Sequence, residues 1–151
     1  MCEGATVHNQ VLIFSDGGSR GNPGPAASAF MILSENCDFL VRKARFLGLR
    51  TNNQAEYEAL ISALEAASKI GAKEAICHLD SELVAKQLAG IYTVKNPELK
   101  KLWRKVQEMA RIFEKISYVN VPRTHPNIQA VDALVNETLD KAIRQKFSRK
   151  T

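Results

Sequence analysis

At 151 residues the chain has the length of one domain, enough to bury about two-thirds of its unfolded surface around a single core, and its 45% apolar and 25% charged residues exclude a disordered or fibrous protein. No apolar run approaches the ~18–20 residues of a membrane-spanning helix, Met1 to Gln10 lacks the basic and apolar halves of a signal peptide, and Cys2, Cys37 and Cys77 have neither disulfide-framework nor zinc-ligand spacing. The 21 Lys and Arg outnumber the 16 Asp and Glu, and the resulting net charge of +5 mildly favours a polyanionic partner. These features predict a cytoplasmic protein with a short tail over 1–10, one domain over 11–146 and a basic end over 147–151.

Val11 to Phe14 is an apolar run that stops at Ser15-Asp16-Gly17-Gly18, the composition of a strand meeting a turn. Ala26 to Leu33 and Phe39 to Phe46 are two further strands of an antiparallel meander. The period then changes: from Asn52 to Ile70 there is no Gly or Pro, and Ala59, Leu60, Ala63, Leu64 and Ala67 mark one face of a helix that Gly71 stops. Ala75 to Leu79 is a fourth strand ending at Asp80, after which Ser81 suits the cap of a helix from Glu82 to about Leu88. Pro97 opens another helix to about Phe113, Ile116 to Val121 is a last strand, and a final helix runs from about Asn127 to Gln145. Three strands, helix, strand, helices, strand and helix describe a mixed sheet covered by helices, an α/β arrangement.

The acids of this pattern occupy unusual places. Three, four, seven and eight residues beyond Glu56 stand Ala59, Leu60, Ala63 and Leu64, so this carboxylate extends the apolar stripe, whereas Glu58 has the neighbours of a solvated charge. Asp132, with Ile128, Val135 and Leu139 at helical spacing, also borders a buried face. Asp16 and Asp80 each close a strand, a position open to a turn or cap aspartate and equally to a ligand at the carboxyl end of a sheet. Were these acids to converge, mutual repulsion and desolvation would oppose their ionisation unless divalent cations joined them. Oxygen donors without Cys or His select Mg²⁺ or Mn²⁺, and two such ions about 3.5–4 Å apart can activate water and stabilise the departing oxygen of a phosphodiester.

The segments Asp16-Gly-Gly-Ser-Arg-Gly-Asn-Pro-Gly-Pro25, Thr51-Asn-Asn-Gln-Ala-Glu-Tyr-Glu-Ala-Leu60 and Leu79-Asp-Ser-Glu-Leu-Val84, with Asp132 on the terminal helix, resemble the signatures of type 1 ribonucleases H in order along almost the whole chain. The resemblance implies a ribonuclease H-like α/β fold with a five-stranded mixed sheet flanked by helices. It also implies hydrolysis of the RNA strand of an RNA–DNA hybrid by in-line attack of water, leaving a 5′-phosphate and a 3′-hydroxyl. By motif position it assigns Asp16, Glu56, Asp80 and Asp132 as catalytic ligands of two Mg²⁺ ions, and Ser19, Asn22, Thr51, Asn52, Asn53 and Glu82 as candidates for contacting the substrate. Sensing the 2′-hydroxyl needs groups that donate and accept hydrogen bonds, which Asn and backbone amides provide. A helix cap remains the alternative for Thr51 or Asn52. Gly17, Gly18, Gly21 and Gly24 suit turns.

Two features depart from the best-known members. His125 is the only histidine in the loop Arg-Thr-His-Pro-Asn before the last acid, which looks shorter than its bacterial counterparts, so proton transfer by His125 competes with a plain surface role. His8 and His78 are treated as incidental, and Arg123 as an alternative phosphate contact. Between Leu88 and Leu102 there is no room for a basic, tryptophan-containing protrusion, as in the compact forms found in archaea and some bacteria. Phosphate attraction then falls to Lys100, Arg104 and Arg111, or to Lys141, Arg144, Lys146, Arg149 and Lys150, which solvated helix faces explain equally well. The expected protein is a monomer with an RNA–DNA hybrid as partner and no membrane. A non-catalytic hybrid-binding module and a nuclease also acting on double-stranded RNA are the competing readings.

Overall fold

The computed structural model describes residues 9–150, with side chains described as far as Lys146; Cys2, His8 and the side chains of Arg149 and Lys150 lie outside the described residues. The elements follow the order β1 (Gln10–Ser19), β2 (Gly24–Ser34), β3 (Phe39–Arg50), α1 (Asn52–Lys69), β4 (Glu74–Leu79), α2 (Glu82–Leu88), α3 (Pro97–Ala110), β5 (Lys115–Asn120) and α4 (Pro126–Lys150). The five strands form one sheet in the order β3-β2-β1-β4-β5. The meander β1-β2-β3 is antiparallel, while β4 and β5 add to β1 in parallel. Parallel neighbours need crossover connections, which α1 and the α2–α3 pair provide.

Strand alternation divides the core. Val11 and Ile13 of β1 join Tyr57, Leu60 and Leu64 of α1, with Val84 of α2 and Val106 of α3, in the larger apolar cluster. Phe14, Ala27, Ala29 and Met31 point the other way and meet Ile128, Val131, Val135 and Leu139 of α4. Each fully buried Leu, Ile or Val contributes about 1.5–3 kcal/mol relative to exposure, so these two stripes set where α1 and α4 lie on the sheet. The buried Tyr57 hydroxyl donates to Gln87 Oε1 at 2.8 Å, and Trp103 Nε1 donates to the Gln87 carbonyl at 3.1 Å, fastening α2 between α1 and α3.

Several boundaries move outward from the sequence reading. β1 continues past the end of its apolar run to Ser19, because Asp16, Gly17, Gly18 and Ser19 still pair with Ala29, Ser28, Ala27 and Ala26 of β2. Asp16 is therefore inside a strand, although parallel pairing with β4 has ended at Phe14 opposite His78. β3 passes Phe46 and reaches Arg50 through a register shift near Ala26 and Ala27, with Gly48 at φ 78°. β3 is also a sheet edge, and its residues Arg42 to Phe46 are exposed. α3 ends at Ala110 and α4 runs beyond Gln145. No described helix is long and apolar enough to cross a membrane, and Cys37 and Cys77 are free thiols.

Candidate active site

Three sequence-distant acids meet at the carboxyl ends of β1 and β4. One carboxylate oxygen from each of Asp16, Glu56 and Asp80 lies within 4.8 Å of the others. Asp16 comes from β1, Asp80 follows β4, and Glu56 comes from the second turn of α1. Thr51 fixes the start of that helix with a capping box, its hydroxyl accepting from Gln54 N–H at 3.1 Å while Gln54 Oε1 accepts from Thr51 N–H at 2.9 Å. Gly17 then lets α1 descend onto β1: a Cβ there would sit 2.2 Å from the Ala55 carbonyl carbon. That close approach allows Gly17 N–H to donate to Glu56 Oε1 at 3.1 Å.

The electrostatics of this arrangement are unfavourable for a bare anion cluster. Asp16 is 6% exposed and Glu56 is 7% exposed. Burial first, and then the neighbouring Glu56 charge, push the Asp16 carboxyl well above the usual carboxylate range. Burial also raises Glu56, against the opposing pull of its hydrogen bonds to Asp16 and to Gly17 N–H. Glu56 Oε2 is buried and has no protein partner. Arg123 neutralises part of the charge by placing its Nε 3.3 Å from Asp80 Oδ2, although its own side chain is 87% exposed. An orphaned carboxylate oxygen, a second carboxyl holding a proton against its normal acidity and an all-oxygen donor set fit a hard divalent cation.

Asp132 stands at the rim of this cluster. It lies on α4 between the buried Val131 and Val135 and is itself exposed, at the border of the buried face as its spacing suggested. It approaches Asp16 closely enough to help raise that carboxyl, and its own Oδ2 accepts from Asn136 Nδ2 at 3.2 Å. The substrate-contact candidates gather beside it in the β1–β2 loop and the α1 N-terminus. Ser19 N–H donates to Asn52 Oδ1 at 2.8 Å, and Asn52 N–H donates to Asn22 Oδ1 at 3.0 Å. Thr51 is the helix cap, as the alternative reading had it. Asn53 is half-buried next to these residues, and Glu82, on α2, is exposed and paired with Lys86 at 2.6 Å.

A family model described as reverse transcriptase-like matches residues 14–138. The N-terminal RNase H domain of a Mycobacterium tuberculosis protein superposes with a TM-score of 0.86 at 40% identity, over 91% of this chain and 98% of that one. The chain belongs to the ribonuclease H family. RNase H1 of the halophilic archaeon Halobacterium salinarum aligns with this ribonuclease H family member at a TM-score of 0.84 and 40% identity, covering 87% of this chain and 98% of that one. LC11-RNase H1, isolated from compost and solved in complex with an RNA/DNA hybrid, aligns at 0.82 and 39% identity over 88% and 99%. The chain spans 36% of the length of the mycobacterial proteins it matches at 43% identity, and 66% of the halobacterial ribonuclease HI.

In this family member the described ring contacts of His125 are made at the start of α4 and with Phe14. Its Nδ1 accepts from Asn127 N–H at 3.1 Å at the start of α4, and its ring lies 5.1 Å from Phe14, which stacks on His78 at 4.3 Å. No described hydrogen bond or ion pair joins His125 to a carboxylate, so the proton-transfer reading has no geometric support. His125→Ala is expected to lower stability by about 1 kcal/mol, the worth of a helix cap, and to leave kcat within about threefold. A loss of the ~100-fold scale of general acid–base catalysis would return His125 to the reaction. His78, half-buried with Nδ1 2.9 Å from the Ile13 carbonyl, has a structural place. Glu58 departs from its reading as a solvated charge: its side chain is 17% exposed and draws in Arg50 at 3.1 Å and Arg45 at 3.9 Å. Sequence reasoning also missed Arg20, Asn136 and Asp140, whose contacts join segments 116 and 120 residues apart along the chain and leave no periodic signal.

Proposed function

We propose that the chain is a divalent-metal-dependent endoribonuclease that hydrolyses the RNA strand of RNA–DNA hybrids, leaving 5′-phosphate and 3′-hydroxyl ends, as a cytoplasmic monomer in which residues 11–146 form one ribonuclease H domain. The observation that carries this reading is the buried Glu56 Oε2, without a partner and flanked by Asp16 and Asp80. Asp16, Glu56, Asp80 and Asp132 are the residues that would hold Mg²⁺ or Mn²⁺. When bound, a pair of such ions supplies the charge that activates water and stabilises the departing oxygen of a phosphodiester. The membership of the chain in the ribonuclease H family, and the hybrid held by LC11-RNase H1, support the choice of substrate.

The remaining residues bind and orient. Ser19, Asn22, Asn52 and Asn53 present hydroxyl and amide groups where the end of β1, the β1–β2 loop and the first turn of α1 adjoin, within reach of a hybrid's backbones. Asn22 uses Oδ1 within the protein, so its amide nitrogen is the group directed to the nucleic acid. Arg123, exposed beside Asp80, offers a guanidinium to the phosphate, and Glu82, exposed on α2 and paired with Lys86 through Oε1, offers its other carboxylate oxygen to the substrate. Without bound cations these carboxylates would repel a phosphate backbone, which disfavours a purely binding role.

End-labelled RNA–DNA hybrid, duplex RNA and duplex DNA incubated with and without Mg²⁺ or Mn²⁺ test the proposal. Cutting of the hybrid's RNA, dependent on metal, is expected. Comparable cutting of duplex RNA would widen the substrate class, and hybrid binding without cleavage under every metal condition would replace the enzyme with a binding module.

A further inference from the structure

Asp132 differs from the other three acids in having no burial to fix its side chain. Its carboxylate is oriented by Asn136, whose Nδ2 lies 3.2 Å from both Asp132 Oδ2 and the Asp132 carbonyl oxygen. One turn along α4 the Asn136 carbonyl accepts from Arg20 Nη2 at 3.4 Å, and Asp140 Oδ1 lies 2.7 Å from the same nitrogen. Residues 132, 136 and 140 are spaced i, i+4 and i+8, so one face of α4 carries the acid, its amide partner and the anchor. Arg20 itself begins the β1–β2 loop, with its N–H donating to the Pro25 carbonyl at 2.8 Å. Gly24 keeps that loop tight, since a Cβ there would meet the Arg20 carbonyl oxygen at 2.2 Å. The preceding residue, Ser19, is bonded to Asn52 of α1.

We propose that Arg20 and Asn136 are positioning residues: together with Asp140 they form a strut that holds Asp132 at the metal site and locks it to the loop that receives the nucleic-acid backbone. The inference rests on the metal-dependent reading of the acid cluster. A guanidinium is suited to the task because its Nη2 carries two N–H donors in a rigid plane, which one nitrogen can share between the Asn136 carbonyl and the Asp140 carboxylate. The Arg20 and Asp140 side chains are 38% and 52% exposed, so their ion pair adds little to folding. Its contribution is geometric. Asn136 commits one oxygen of Asp132 and leaves the other for a cation, as partners of metal-binding carboxylates do.

The alternative role for Arg20, direct phosphate binding, makes the opposite prediction for Asp140. Arg20→Gln, Asn136→Ala and Asp140→Asn are each expected to lower kcat about 10- to 100-fold, the usual range for groups that orient metal ligands, with KM changed less than about twofold. Each variant should also need about tenfold more Mg²⁺ for the same rise in Tm, measured on free protein with Mg²⁺ alone. The paired exchange Arg20→Asp with Asp140→Arg should recover much of both losses. Glu137→Gln, which breaks a neighbouring ion pair with Lys141 on the same helix, should change neither. Unaltered Mg²⁺ titrations in the three single variants, or a rise in KM alone, would overturn the strut; tighter hybrid binding in Asp140→Asn would assign Arg20 to phosphate. Should wild-type protein cut no hybrid, the proposed function falls, and the Mg²⁺ titration of Tm still decides the strut.

Discussion

Asp16→Asn is expected to lower hybrid cleavage by about a thousandfold or more, while making the metal-free protein more stable at neutral pH. The first effect follows from removing the charge at the centre of the cluster; loss of one decisive transition-state contact is worth about 4 kcal/mol, or about 10³ in rate. The second follows from the same burial that raises the carboxyl's proton affinity. An amide keeps the side-chain volume and cannot ionise, so the folded variant no longer competes with an unfolded chain whose Asp16 is free to lose its proton, a gain of about 1–3 kcal/mol that would appear as roughly 2–12 °C in Tm for a chain of this size. Steady-state cleavage and thermal melts in EDTA measure the pair of effects. A variant with a tenth of wild-type turnover, or one melting lower than wild type, would remove Asp16 from the catalytic set.

The second large effect is a pH dependence that magnesium abolishes. In the unfolded chain Asp and Glu ionise near pH 4, whereas in the folded protein burial holds Asp16 and Glu56 protonated to higher pH, about 7 for Glu56. The folded state therefore binds more protons than the unfolded state above pH 4, and stability falls as pH rises through that window, by about 1.4 kcal/mol per pH unit for each proton withheld. Below pH 4 both states are protonated and the contribution is intact. Subtracting the melts of Asp16→Asn from those of wild type isolates this behaviour from the other carboxylates, and the difference should widen from pH 5 to pH 8. Mg²⁺ binds the ionised form and should close it, because a ligand of the folded state alone stabilises by mass action. A wild-type Tm unchanged by millimolar Mg²⁺ at pH 8 would contradict a cation site at these acids.

Much of this site was legible before any coordinates. The 3.6-residue period turned Glu56 inward because its neighbours at three, four, seven and eight residues are all apolar, and burial of that carboxylate bears this out. Thr51 and Gln54 stand at the spacing of a capping box, a local signal complete within four residues. The end of β1 was not legible: small residues replace the apolar run after Phe14, and only the pairing with Ala26 to Ala29 shows the strand continuing. Glu58 was misread because its own helix gives it polar neighbours, while Arg45 and Arg50 arrive from β3. The stripe of α4 is centred on Val131 and Val135, which leaves Asp132 at its border, where the spacing of Ile128, Val135 and Leu139 put it. His125 shows the other boundary: residue type and loop position suggest chemistry, whereas the contacts its ring makes, Nδ1 with the Asn127 amide and one face with Phe14, leave no trace in the residue pattern.

The outer strand β3 presents Arg42, Lys43 and Arg45 along a border where, among the described residues, no further strand pairs. A second molecule approaching that border to extend the sheet would have to bring its own cations against these and strip their hydration. The same fringe gives crowded or newly synthesised copies a reason to stay apart, even though the backbone there still offers hydrogen bonds.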